Sequence, residues 1–141
     1  MPARPVRDCP CHSGLRYAAC CGPLHEGARE AETPEALMRS RYAAFARGLG
    51  AYLVRTLSAD HPDRAHDEAV LAHALSRVKD TQRFLGLTIL ASHVEGDRGE
   101  VLFHARIFER GVDRSFTERS RFHKEGVGLE VRWRYAGGEV T

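Results

Sequence analysis

The stretch that decides the fold is EVLFHARIFE, residues 100–109, in which apolar and polar side chains alternate. Successive side chains of a β-strand point to opposite faces of the sheet, so Val101, Phe103, Ala105 and Ile107 share one face. The pattern therefore predicts a strand that covers an apolar core with that face. Similar alternation predicts three further strands, over residues 84–94, 115–124 and 129–135.

Short glycine-bearing segments at 96–99, 111–113 and 126–128 join these strands, as in β-hairpins and an antiparallel meander. Upstream, Thr33 and Pro34 are typical of a helix start, and Gly48 is typical of a helix end. Two further helices are predicted, over residues 51–57 and after the capping residue Asp67. Helices followed by an antiparallel sheet indicate an α+β fold with the helices on one sheet face.

The length of 141 residues suits one domain with a small appendage. We place the appendage at residues 1–33 and the domain at residues 34–141. The formal charge of +2 does not by itself indicate a nucleic-acid binder. No apolar run has the length of a membrane helix, and the first residues, MPARPVRD, lack the apolar core of a signal peptide. These features predict a cytoplasmic protein with no membrane partner.

All four cysteines lie close together, at Cys9, Cys11, Cys20 and Cys21. In a reducing compartment such a cluster favours a metal site over disulfides. A tetrahedral zinc site with Zn–S bonds of about 2.3 Å needs neighbouring sulfurs roughly 3.8 Å apart, which cysteines at this spacing can reach. We therefore predict a closed, structural Zn²⁺ site. Free thiols and a redox pair are the alternatives, and His12 and His25 are spare ligands.

Residues 9–21, CPCHSGLRYAACC, resemble the SEC-C motif, a zinc-binding segment also found at the C-terminus of the translocase motor SecA. The usual motif has glycine where this chain has His12. Residues 22–27, 37–45 and 118–122 extend the resemblance to the YchJ-like (UPF0225) family. The resemblance implies a SEC-C segment followed by a domain like nuclear transport factor two (NTF2), a cone of helices on a curved sheet around a cavity. It implies no particular activity.

Several polar residues are candidates to line such a cavity and to bind a small anionic ligand: Arg39, Tyr42, His104, Glu118, Arg119 and Arg121. His104 and Glu118 are also a candidate acid–base pair across neighbouring strands. The competing interpretation is that the arginines lie in a solvated ladder on the outer sheet face, formed by Arg106, Arg119, Arg121, Arg132 and Arg134.

We predict a binding or adaptor module, because a closed zinc site is not catalytic and the sequence contains no convincing catalytic set. Its expected partners are a protein that contacts the zinc-binding segment at residues 1–33 and a small anionic ligand in the cone. The alternative is an NTF2-like enzyme, an isomerase, dehydratase or hydrolase of a small anionic substrate. Nucleic-acid or ribosome binding through the basic sheet face is a third hypothesis. A homodimer through a face that contains Leu102 and Phe108 is a further expectation.

Overall fold

The computed structural model describes residues 8–141, so the first seven residues of the predicted N-terminal segment lie outside the described residues. The described residues form four α-helices and five β-strands, among which the three predicted helices and four predicted strands occur in the predicted order; a one-turn first helix and a two-residue strand were not predicted. The helices are α1 (Gly22–His25), α2 (Pro34–Arg47), α3 (Gly50–Arg55) and α4 (Glu68–Ser76). The strands are β1 (Gln82–Glu95), β2 (Arg98–Glu109), β3 (Val112–Asp113), β4 (Phe116–Glu125) and β5 (Arg132–Val140). Helices before an antiparallel sheet confirm the α+β prediction.

Helix α2 begins and ends at the predicted residues. The Thr33 side chain accepts a hydrogen bond from the Ala36 backbone N–H at 3.0 Å and caps the first turn. Gly48 ends the helix in the left-handed conformation, with φ of 74°, which glycine adopts without a steric penalty. Asp67 caps α4 in the same way as Thr33, through the Val70 N–H. Local capping chemistry thus fixes both ends of α2 and the start of α4.

The sheet is an antiparallel meander in the order β1-β2-β4-β5, and β3 pairs with the end of β2. The β5 edge is covered by the segment after α3, because Ser58 N–H donates to Tyr135 O and Tyr135 N–H donates to Thr56 O, both at 2.8 Å. The predicted fourth strand, 129–135, was placed too early in the chain. Residues Gly128–Glu130 form a 3-10 turn, and β5 continues to Val140.

The helices pack on the sheet face that the alternation of β2 predicted. Val101, Phe103, Ala105 and Ile107 are all buried there, with Phe122 of β4 beside them. The predicted outer arginine ladder is correct for Arg106, Arg119 and Arg132, which are exposed, whereas Arg121, also exposed, lies at the rim of a cavity between α2 and the sheet. The ladder prediction is wrong for Arg134, which is 4% exposed. This side chain lies beneath the covered β5 edge, where its Nη1 donates to Glu30 at 2.9 Å. Among residues 8–141, no helix is both long and apolar enough to cross a membrane.

Candidate functional site

The four cysteine sulfurs form one compact cluster, in which all lie within 4.8 Å of one another. The Sγ atoms of Cys11 and Cys20 are 3.6 Å apart, and those of Cys20 and Cys21 are 3.9 Å apart. These distances match the roughly 3.8 Å between sulfurs that share a tetrahedral zinc ion. Cys9, Cys11 and Cys21 are buried, and Cys20 is partly exposed. The donor set and its spacing therefore fit a zinc ion held by four thiolates.

A tight hairpin and a helical turn bring the two cysteine pairs together. Cys9 N–H donates to Leu15 O at 2.9 Å, and Asp8 bridges to Arg16, which folds the segment back on itself. Within the hairpin His12 has a φ of 62°, in the left-handed region that favours glycine. This conformation explains why glycine is usual at that position of the SEC-C motif. Cys20 and Cys21 follow on the turn that leads into α1.

Neither spare histidine points at the cluster. His12 Nε2 lies 3.2 Å from the carbonyl oxygen of Phe84 on β1. His25 Nε2 lies 2.8 Å from the Ser40 carbonyl oxygen, which can only accept, so Nε2 carries the proton. His25 Nδ1 then accepts from Tyr17 Oη at 2.6 Å, and burial lowers the pKa of His25. Both nitrogens of His25 are occupied, so the four cysteines are the candidate ligands.

The thiols lie close enough to shift one another's pKa values. Thiol donation from Cys21, and then from Cys9, lowers the pKa of Cys11. The bond to Cys11 raises the pKa of Cys9 to about 11 and also raises the pKa of Cys21. The thiols therefore do not ionise independently of one another. A divalent cation is what would allow all four sulfurs to ionise together.

The cysteine knuckle (residues 8–25) is anchored to helix α2. Arg39 Nη1 donates to Cys11 O at 3.1 Å, and the guanidinium of Arg47 lies 4.1 Å above the Tyr17 ring. The Tyr17–His25–Ser40 chain of hydrogen bonds ends on the same helix. Ala43 of α2 is fully buried against the cysteines. The knuckle and the α+β domain therefore share a packed interface.

A cavity of about 660 Å³ lies between helix α2 and the sheet. Three of the predicted ligand-binding residues, Tyr42, Glu118 and Arg121, lie on its wall. The Tyr42 hydroxyl donates to Gly86 O at 2.8 Å, which holds its phenol against β1. Burial raises the pKa of Tyr42 to about 12, so the phenol stays neutral.

The other three predicted ligand-binding residues do not line this cavity. Arg39 points to the knuckle, where it bonds Cys11 O and Glu35. Arg119 lies on the outer sheet face and pairs with Glu100 at 3.3 Å. His104 lies opposite Thr117, one residue out of phase with Glu118, and bonds the Thr117 hydroxyl at 3.0 Å. Side chains one position apart on a strand face opposite ways, so the predicted His104–Glu118 pair does not form.

Arg41 is the cavity residue that the sequence reasoning missed. It is 8% exposed, and its Nη1 donates to Leu53 O at 2.7 Å and to Thr56 Oγ1 at 2.6 Å. Its guanidinium carbon lies 4.5 Å from the centroid of the Tyr135 ring. The position of Arg41 next to Tyr42 on a helix was a usable signal, because adjacent helical positions can both border a cavity beneath the helix.

Glu118 lies on the same part of the wall. Its Oε2 accepts from Ser120 Oγ at 2.6 Å and from Tyr135 Oη at 3.1 Å. Burial, and then the adjacent Glu118 charge, raise the pKa of Tyr135 to about 12, so the phenol remains a donor. The cavity therefore has a polar end, formed by Arg41, Glu118 and Tyr135, and an otherwise mostly apolar wall.

A second small group consists of Asp60, His123 and Glu125, which present their ligand atoms within 4.8 Å of one another. Asp60 accepts from Ser58 Oγ, and Glu125 accepts from the Ala59 N–H. The bond from Ala59 to Glu125 ties the segment after α3 to β4, which is a structural role for Glu125.

Family models match both parts of the chain. The family described as "YchJ, middle NTF2-like domain" matches residues 33–138, and the SEC-C motif matches residues 8–23. A UPF0225 protein of Deinococcus radiodurans is 45% identical over 134 residues, which cover 93% of this chain and 88% of the relative. The UPF0225 protein YchJ of Shigella dysenteriae serotype 1 is 38% identical, with 92% and 81% covered.

Solved structures share the fold. The solution structure of a SEC-C motif containing protein from Rhodopseudomonas palustris matches with a TM-score of 0.77 at 40% identity, covering 94% of this chain and 98% of that one. The crystal structure of a SEC-C motif containing protein from Psychrobacter arcticus matches with a TM-score of 0.75 at 25% identity, covering 94% and 82%. The likeness thus extends over the knuckle, the helices and the sheet.

Proposed function

The chain belongs to the YchJ-like UPF0225 family, a SEC-C segment followed by an NTF2-like domain, and from this premise we propose that it is a zinc-stabilised binding module. In this proposal Cys9, Cys11, Cys20 and Cys21 hold one structural zinc ion, and the cone accommodates a small ligand. The observation that carries the proposal is the buried four-sulfur cluster docked on α2, the helix that also borders the cavity.

The chemistry of the donors supports zinc rather than a harder metal. Four thiolates are soft ligands, and a tetrahedral set of sulfurs is typical of zinc or iron–sulfur sites. Four protein ligands fill a tetrahedral zinc ion, which leaves no open position for a substrate or water. The ion would therefore organise the knuckle and would not take part in a reaction. Thiolates must stay reduced to bind it, and for that reason we place the protein in the cytoplasm.

The ordered knuckle offers a small rigid surface to a protein partner. Leu15, at the tip of the hairpin, is 54% exposed although it is a large apolar residue. Arg16, Ala18 and Ala19 are exposed next to it. Apolar side chains at a rigid, partly charged surface are common at protein interfaces, so we assign the adaptor role to this tip.

The ligand set is tested in the full chain by the double variant C20S/C21S, which removes half of the donors. We expect this variant to lose its zinc during dialysis against a chelator at a concentration at which the unchanged protein keeps its zinc. Amide NMR signals of residues 8–25 should collapse while those of β2 and β4 stay dispersed, because the sheet has its own core.

The matched control is S13A, which removes a hydroxyl 3.3 Å from Cys20 Sγ but no ligand, and it should keep its zinc. A double variant with unchanged zinc content would refute the ligand assignment.

A further inference from the structure

We propose that the cone binds a monocarboxylate with an apolar tail, with the carboxylate on the Nε–Nη2 edge of Arg41 and the tail along the apolar wall. This inference rests on the proposed ligand-binding function of the cone and specifies the chemistry of the ligand.

Only one side of the Arg41 guanidinium is satisfied by protein. Nη1 has two hydrogens, and they go to Leu53 O and Thr56 Oγ1. Within residues 8–141, Nε and Nη2 have no hydrogen-bond acceptor and Arg41 forms no ion pair, yet the residue is 92% buried and lines the cavity. Glu118 and Asp63 place negative charge nearby on the cavity wall, but neither bonds this edge, so both donors remain open to an anion that enters the cavity.

The free edge has the shape that a carboxylate recognises. Nε–H and one Nη2–H point in parallel and can bond both oxygens of one carboxylate in a bidentate pair. The bonds of Nη1 and the stacking on the Tyr135 ring hold the guanidinium plane in place before a ligand arrives. Burial lowers the pKa of Arg41 to about 10, which leaves the side chain cationic at neutral pH.

The remainder of the wall fits an apolar tail. Away from Arg41 the cavity is lined by Met38, Phe45, Phe84, Phe103 and Ile107, among others. A volume of about 660 Å³ lies within the range of small-molecule sites, which bury mostly apolar ligand surface and fix orientation with few polar groups.

The other charges favour a single negative charge on the ligand. Glu118 is engaged by Ser120 and Tyr135 and would repel a phosphate dianion more strongly than a carboxylate. Asp63 adds a second negative charge on the wall. Arg121, at the rim, is paired with Glu139 and is therefore not free to neutralise a second charge. Among residues 8–141 the Nε–Nη2 edge of Arg41 has no hydrogen-bond acceptor, and the group complementary to it is one carboxylate.

The experiment compares three probes of equal chain length, hexanoate, 1-hexanol and hexylamine, on the zinc-loaded full chain by NMR titration. The Arg41 Nε–H resonance reports directly on the predicted contact without any mutation. We expect hexanoate to shift this resonance saturably and to bind at least about tenfold more tightly than hexanol, because hydrogen bonds to charged groups supply that much. Hexylamine should bind more weakly than either.

Two variants distinguish bidentate hydrogen bonding by the Nε–Nη2 edge of Arg41 from attraction to a positive charge alone. R41K keeps the cation but loses the bidentate edge, and it should weaken hexanoate binding about tenfold while hexanol binding is unchanged. R119K makes the same substitution on the outer face and should leave both affinities within about twofold. If R41K does not fold, the Nε–H titration of the unchanged protein decides alone.

The outcomes distinguish this inference from the function on which it rests. Equal affinity for hexanoate and hexanol at cavity residues would overturn the carboxylate assignment but leave a ligand-binding cone. Hexanoate shifts confined to outer-face arginines such as Arg119 would also overturn it. If no probe shifts any cavity residue, the inference fails together with the ligand-binding half of the proposed function, whereas the zinc site is tested separately.

Discussion

The variant Y17F, which removes the Tyr17 hydroxyl, tests how the cysteine knuckle is anchored to helix α2. The hydroxyl donates to His25 Nδ1 at 2.6 Å, and His25 in turn donates to Ser40 O at 2.8 Å. Removing it deletes a hydrogen bond and leaves a buried acceptor without a partner, which together cost about 1–2 kcal/mol. The phenyl ring stays in place, so its contact with Arg47 is preserved.

This loss should appear in zinc affinity. In the proposed site the zinc ion binds only the folded knuckle, so the free energy that docks the knuckle on α2 is part of the free energy of metal binding. A deficit of about 1–2 kcal/mol corresponds to an affinity roughly 5–30-fold lower. Competition with a chromophoric chelator at constant pH measures this ratio directly.

The control is Y135F, which removes the same atom from a tyrosine that bonds Glu118 in the cavity and does not contact the knuckle. We expect its zinc affinity to equal that of the unchanged protein. If Y17F also binds zinc with unchanged affinity, docking and metal binding are independent, and the account of a knuckle anchored through His25 is wrong.

Three further predictions concern helix packing, the cavity and pH. G50A should lower the free energy of unfolding in denaturant by about 1–3 kcal/mol. Its Cβ would lie 1.8 Å from Ala72 O and would force α3 and α4 apart. G138A should leave the fold intact, because its Cβ would meet Glu118 Oε2 at 2.1 Å and this end of the side chain can move. The variant should lower hexanoate affinity about tenfold in the same NMR titration, because a Glu118 carboxylate that has lost its bond to Tyr135 repels the hexanoate carboxylate more strongly. Burial lowers the pKa of His25 in the folded protein below the unfolded value of 6.5, so the folded protein binds fewer protons than the unfolded chain. The stability that depends on a neutral His25 is therefore full above pH 6.5 and is lost as the pH falls through the lowered value of its pKa. The melting temperature should accordingly fall more steeply between pH 7 and pH 5.5 in the unchanged protein than in H25Q, and equal slopes would show that His25 is not the titrating group.

The sequence predicted those elements whose structure depends on local chemistry. The alternation of Val101, Phe103, Ala105 and Ile107 depends only on the pleat of the strand, and the buried face of β2 follows from it. The ends of α2 depend on a capping hydroxyl and a glycine, and both are found as predicted. The cysteine cluster was predictable because sulfur spacing along a short loop limits how far the ligands can separate.

The residues that line the cavity depend on tertiary contacts, which a pattern does not contain. Arg39 and Arg41 are two positions apart on one helix, yet Arg39 bonds the knuckle and Arg41 lines the cavity. The strand register placed His104 on the face away from Glu118. Arg134 followed the strand alternation but is buried, because the segment after α3 pairs with the edge of β5. In each case a neighbour distant in sequence determined the environment.

The central claim is one structural zinc ion per chain, held by four reduced cysteines. It is tested most directly by elemental analysis of protein purified without added metal, together with a thiol titration in denaturant. The account predicts one zinc and four thiols per chain. Protein that contains no zinc and yields fewer than four thiols would contradict it and would indicate disulfide or redox chemistry at the cluster.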